Sequence, residues 1–151
     1  MHTLNGSVAA LFLTEITTKR YLSQAQLDVT TDGIIGDKHF GQLPERSILL
    51  ASTSSYRLIK DSLGVTMPHG YLGENILIDT LDDLYRLPIG TPILIGNSVL
   101  EITQNCSLCN HLATLDRRIP KLLKDDRGIF AKTIRPGRIA LGDQVRIDGN
   151  V

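Results

Sequence analysis

The chain has 151 residues, of which 42% are hydrophobic, and its 16 Lys and Arg balance its 16 Asp and Glu. That length fits one domain over residues 1–151, and a balanced charge provides no global field for nucleic acid or an anionic membrane, so an anionic ligand would need a local site. No apolar run approaches the roughly 18 residues of a membrane span and the first residues are polar, so a cytoplasmic protein is expected, with no membrane segment.

Val8 to Leu13 is a short continuous apolar run, and Ala25, Leu27 and Val29 alternate with polar residues as one strand would, with a polar connector from Thr14 to Ser23 between them. Asp32 to Gly41 (DGIIGDKHFG) is glycine-rich and carries Asp37, Lys38 and His39. Such a stretch suits close backbone approach to a ligand, and it equally suits a plain turn with a solvated charge cluster. Arg46 to Ala51 reads as a buried strand. Ser52 to Leu63 has helical spacing, with a cap among Ser52, Thr53 and Ser54 and a stop at Gly64. Pro68 to Asn75 (PHGYLGEN) is a second glycine-rich loop and leads into a strand, Asn75 to Ile78. Leu81 to Leu87 is a short helical turn. Pro92 to Ile95 and Val99 to Thr103 form a hairpin about Gly96-Asn97-Ser98. Leu108 to Leu123 is helical in spacing but is interrupted by Pro120, which predicts two short helices. Ile129 to Ile134 and Gln144 to Ile147 are the last strands. Short strands with frequent turn signals and no regular alternation of strand and helix predict a closed or partly closed, mostly antiparallel β-barrel with a few peripheral helices.

The chemistry concentrates in Glu101 to Leu112 (EITQNCSLCNHL), which holds both cysteines of the chain, Cys106 and Cys109. In a reducing compartment two cysteines three residues apart mean redox chemistry, metal binding or one functional thiol rather than a structural staple. A dithiol pair lacks the βαβ setting of thioredoxin-type sites. A zinc site could use Cys106, Cys109 and His111 with His39 or His69, but no second CxxC completes it. Nothing resembles a nucleophile elbow.

Taken together and in order, several blocks resemble the MOSC domain, the molybdenum cofactor sulfurase C-terminal domain. They are Asp32-Gly-Ile-Ile-Gly-Asp-Lys-His39, Arg46 before an apolar strand, Gly73-Glu-Asn-Ile76, Glu101-Ile-Thr-Gln104 followed by Cys109, Gly128-Ile-Phe-Ala131, Pro136-Gly137 and Gly142-Asp143. The resemblance covers nearly the whole chain and implies a β-barrel and a single characteristic cysteine used in sulfur transfer or molybdenum cofactor (molybdopterin) chemistry. That cysteine falls on Cys109, as sulfur acceptor or molybdenum ligand, and Cys106 is the extra one. Where many members carry an arginine and a proline ahead of the cysteine, this chain reads Cys106, Ser107 and Leu108. The resemblance also implies a binding pocket shaped by Gly36, Asp37, His39, Arg46, Gly73, Glu74, Asn75 and Arg138. Lys38, Arg46, Arg135 and Arg138 are the candidate cations for a cofactor phosphate. Pyridoxal phosphate is not expected on this chain alone, so the implied partner is a cysteine desulfurase as sulfur donor, or a molybdoenzyme. A carrier module without turnover and a structural zinc protein are the competing readings.

Overall fold

The computed structural model describes residues 2–106 and 116–149. Seven strands form a closed barrel in the order β1 (His2–Thr14), β11 (Gln144–Gly149), β7 (Pro92–Ile95), β8 (Ser98–Asn105), β9 (Ile129–Arg135), β5 (Ile48–Ser52) and β6 (Ile76–Asp79), which returns to β1. Every neighbouring pair is antiparallel except β5 and β6. β2 (Tyr21–Gln24) extends the sheet beyond β1, while β3 (Gln26–Thr30), β4 (Gly33–Ile34) and β10 (Gly137–Ala140) form a smaller antiparallel sheet. The α-helices among the described residues are α1 (Thr53–Leu63) and α2 (Ile119–Leu123). None of the helices there is long and apolar enough to cross a membrane.

Period-two alternation sorts the strand residues between two cores. Ile48, Leu50, Ile76 and Ile78 point into the barrel with Val8, Leu11, Leu100, Ile102, Ala131, Val145 and Ile147. Ala51 and Leu77, displaced by one residue, join Tyr56 and Ile59 of α1, Ile119 and Leu123 of α2, and Met67 and Leu72 in a second core on the outer face. The parallel β5–β6 pair requires a crossover, and α1 supplies it. Ser52 caps α1 by accepting from the Ser54 N–H at 3.1 Å, and Gly64 ends it in the left-handed region at φ 71°.

Several boundaries differ from the sequence reading. β1 begins at His2, because the polar stretch before Val8 is held by pairing with β11, from His2–Gly149 to Ser7–Gln144. The connector after Thr14 contains β2, which pairs with the end of β1. The bridge after Arg135 contains β10, paired with β3. In all three places pairing to a distant strand decides the conformation, and the alternation signal is weak. α2 does carry Pro120 at its start, where proline is tolerated. Residues 108–115 of the stretch expected to be helical lie outside the described residues.

Asn75 joins the barrel where β6 has not yet begun. Its backbone N–H donates to Leu49 O at 2.8 Å and its carbonyl accepts from the Phe12 N–H at 2.8 Å. The side chain repeats the pattern: Oδ1 accepts from the Leu49 N–H at 3.0 Å, and Nδ2 donates to Phe12 O at 3.2 Å. The residue is buried, so the groups it satisfies have no water to replace it. Asn75→Ala would orphan one N–H and one carbonyl between β5 and β1. Urea unfolding should therefore show a loss of about 2–4 kcal/mol. A loss below about 0.5 kcal/mol, the level of an ordinary surface substitution, would mean that this bridge does not hold the barrel together.

Candidate functional site

At one end of the barrel lies a cavity of about 520 Å³. It is bounded by the turn after β4 (Asp37, Lys38, His39), by Arg46 and Leu49 at the start of β5, and by Gly70, Gly73 and Asn75 of the second glycine loop. Gln104, Asn105 and Cys106 at the end of β8, with Arg127 and Phe130 around the start of β9, complete the wall together with Thr14 and Tyr21. This size is within the range of small-molecule sites.

The first glycine loop is organised by Asp37, which is 1% exposed. Its carboxylate accepts from the Thr14 N–H at 2.8 Å and the His39 N–H at 3.0 Å, and its Oδ2 lies 3.2 Å from His39 Nδ1. Burial pushes the Asp37 carboxyl up, but the bonds from the His39 ring and the two backbone N–H groups outweigh it and hold the carboxyl below its usual range. Lys38 and His39 are thereby presented at the cavity from a fixed turn. Arg46, also on the cavity wall, lies with its guanidinium 5.0 Å from the centroid of the Phe130 ring, a cation–π contact.

The second glycine loop is tied down by tyrosines. Tyr56 OH accepts from the N–H groups of Gly70 and Leu72 at 3.0 and 3.2 Å, and donates to Glu74 Oε2 at 2.7 Å. Gly70 N–H also reaches Glu74 Oε2 at 3.1 Å, and Tyr21 OH donates to the Glu74 carbonyl. Gly70 adopts φ 95°, and a Cβ there would lie 2.6 Å from the Tyr21 ring, so both backbone conformation and packing require glycine. His69 is outside the cavity lining and packs edge-on against Tyr56.

At the floor, Cys106 and Arg127 are neighbours because the β8–β9 ladder runs to Asn105–Ile129 and Cys106 N–H then donates to Gly128 O at 2.9 Å. Arg127 Nη1 donates to Cys106 Sγ at 2.8 Å and Nη2 to Leu72 O at 3.0 Å. Gly128 lies against β5, where a Cβ on it would sit 2.7 Å from Leu50 O. The lining thus combines the cations Lys38, Arg46 and Arg127 with one carboxylate, Asp37, which is already satisfied. Such a cavity favours an anionic ligand.

Of the residues expected to bind cofactor, the structure brings Asp37, His39, Arg46, Gly73 and Asn75 to the cavity wall. Gly36 is in the same turn at φ 90° without lining the cavity, and Glu74 is fully buried behind the loop. Arg138 is not brought there: it stands on β10, where its Nε donates to Asp28 Oδ1 at 3.0 Å. Arg135, at the end of β9, is also absent from the lining. Cys109 and His111 lie outside the described residues, so the cysteine pair and the zinc set cannot be assembled from them. Among the described residues no three His, Cys, Asp or Glu side chains form a group able to hold a metal ion. Sequence reasoning missed Arg127, Tyr21 and the hydroxyl role of Tyr56. The signal that could have found Tyr56 is that a buried tyrosine on a helix face needs a partner for its OH.

Glu74 carries a testable signature. Burial raises its carboxyl above the usual range, against the opposing bonds from Tyr56 and backbone N–H groups. A raised folded pKa means that this group's stabilising contribution is full below the ordinary value, 4.5, and is lost as pH rises through the folded value. Glu74→Gln keeps an acceptor for Tyr56 and Gly70 and cannot ionise. Its stability relative to wild type should therefore climb from pH 4 to pH 8 in parallel urea titrations, and a difference independent of pH would refute the assignment.

A family model for the MOSC domain matches residues 36–146. The fold is similar to a solved structure of the YuaD protein from Bacillus subtilis, with a TM-score of 0.87 and 20% identity over 97% of each chain. It is also similar to YiiM from Geobacillus stearothermophilus, with a TM-score of 0.74 and 16% identity over 95% of this chain and 75% of that one. For YiiM from Escherichia coli the TM-score is 0.69 and the identity 18%, over 96% of this chain and 71% of that one. At these identities the likeness shows the fold. No curated protein matches the chain.

Proposed function

The chain belongs to the MOSC domain family, and from that premise we propose that it binds an anionic ligand of the molybdenum cofactor class in the barrel-end cavity and uses Cys109 as its sulfur-accepting or metal-ligating thiol. The observation that supports this most strongly is the cavity wall itself, in which three cationic side chains, Lys38, Arg46 and Arg127, face one satisfied carboxylate next to the cysteine-bearing segment. Cys109 follows Cys106 by three residues in the chain, and Cys106 lines the cavity.

The residues present fit a phosphate-bearing group. Arg127 is 8% exposed and its Nε has no hydrogen-bond partner among the described residues, while Lys38 and Arg46 add exposed donors at the rim. Guanidinium and ammonium groups of this kind recognise phosphate oxygens. The planar wall of Phe130, with Arg46 on it, would bound a flat ring system. Bound molybdenum cofactor would supply the metal, for which a thiolate is a suitable soft ligand. Lys38, Arg46 and Arg127 would orient the group.

For sulfur transfer the chemistry falls on the thiol. A Cys109 thiolate attacks the terminal sulfur of a persulfide on a donor protein such as a cysteine desulfurase; a new S–S bond forms, the donor S–S bond breaks, and the donor leaves as a thiolate. A carrier that holds cofactor or sulfur for a molybdoenzyme, without turnover of its own, uses the same residues and differs only in the release step.

Anaerobic purification followed by intact mass and metal analysis tests the reading. We expect either an added mass of about 32 Da, one sulfur atom, or molybdenum together with a pterin chromophore. Cys109→Ala should abolish whichever is found, and Arg46→Ala should reduce molybdopterin retention roughly tenfold through the lost charge-assisted contact. Stoichiometric zinc with both thiols blocked would replace this reading by the structural zinc site.

A further inference from the structure

The buried guanidinium of Arg127 needs a countercharge. It is 8% exposed, and among the described residues no carboxylate lies within ion-pair distance of it. Its two terminal nitrogens are spent on Cys106 Sγ and on the neutral carbonyl of Leu72, and Nε has no hydrogen-bond partner among the described residues. Buried charges persist in proteins when paired, and the group in direct contact that can take a negative charge is the Cys106 thiol. A cation donating a hydrogen bond to sulfur is also the setting in which a thiolate forms. Both residues line the same cavity, with Gln104 and Asn105 beside them.

We propose that Cys106 is a second nucleophilic thiol of this cavity, held as a thiolate by Arg127, and that it reacts with small electrophiles carrying an anionic group. The anionic group is drawn by Arg127, whose Nε has no partner among the described residues, and by Lys38 and Arg46 at the rim. This goes beyond the function proposed above, which assigns the chemistry to Cys109, and it requires neither sulfur loading nor metal.

Full-length Cys109→Ser protein retains Cys106 as its one cysteine, and comparing iodoacetate with iodoacetamide at pH 7 by intact mass reads the reaction directly. The Cys106 thiolate supplies the electron pair for a new S–C bond, the C–I bond breaks and iodide leaves, so no proton has to be placed. An ordinary thiol is only a few per cent ionised at that pH, so a held thiolate should be alkylated on the order of tenfold faster in the folded chain than in urea. The ratio of iodoacetate to iodoacetamide rates should also be higher in the folded chain. Arg127→Met should lose both advantages, and Arg127→Lys should keep part of the preference for the anionic reagent. A folded rate no greater than the unfolded one, an advantage for iodoacetamide alone, or an Arg127→Met variant that behaves like its parent each overturns the proposal. If Arg127→Met does not fold, the folded-to-unfolded comparison and the Lys variant decide. Because the readout is alkylation of Cys106, a failure of sulfur or metal loading at Cys109 would leave this result standing, and the reverse also holds.

Discussion

The fourfold bonding of Asn75 is the constraint on which both barrel and cavity depend. A single residue occupies the place of two hydrogen-bonding positions, closing the gap between β5 and β1 with its backbone and again with its side chain. The residues just before it turn through Gly70 and Gly73 at positive φ, and both glycines line the cavity together with Asn75. One residue thus belongs both to the closure of the barrel and to the wall of the site. The arrangement trades regular ladder bonds for a polar side chain at a buried position, which is sound only if every group is satisfied. Here every one is.

Around that seam the site is divided by charge. Carboxylates near the cavity have been withdrawn from ligand use: Asp37 is consumed by its own turn, and Glu74 is held behind the loop by Tyr56 and Gly70. The cations are arranged in depth, with Lys38 and Arg46 exposed and Arg127 buried. An anion entering this cavity meets progressively less water as it approaches Arg127, so the attraction strengthens where the dielectric falls. The thiol at that depth experiences the same field.

Much of this was legible in the sequence, for identifiable reasons. α1 was readable because its signals are local: a serine cap, apolar residues on one face and a terminal glycine. The two glycine loops and Arg46 were recognisable through their resemblance to family blocks, since the glycines meet steric demands that survive sequence divergence. The beginning of β1, the whole of β2 and the β10 strand were not readable, because their residues are polar or mixed and gain strand form only from partners far along the chain. Arg138 illustrates the converse: it was one of four candidate cations for a cofactor phosphate, and nothing local in the sequence shows that β10 belongs to the small sheet and carries it to Asp28. Arg127 lay inside a polar stretch of two aspartates and a glycine. Only the register of β9 against β8 shows that it meets a cysteine 21 residues earlier.

The pairing of β1 with β11 has a consequence for how the chain reaches this state. These strands join His2 to Gly149, so the last wall of the barrel is a contact of extreme sequence separation and has the largest loop to close. Wherever β11 is undocked, the first half of β1 presents an open edge. That edge is a template for the β11 of another molecule as much as for its own. At high concentration, refolding is thus a competition between self-closure and strand exchange, and a swapped dimer would preserve every native hydrogen bond while joining two barrels.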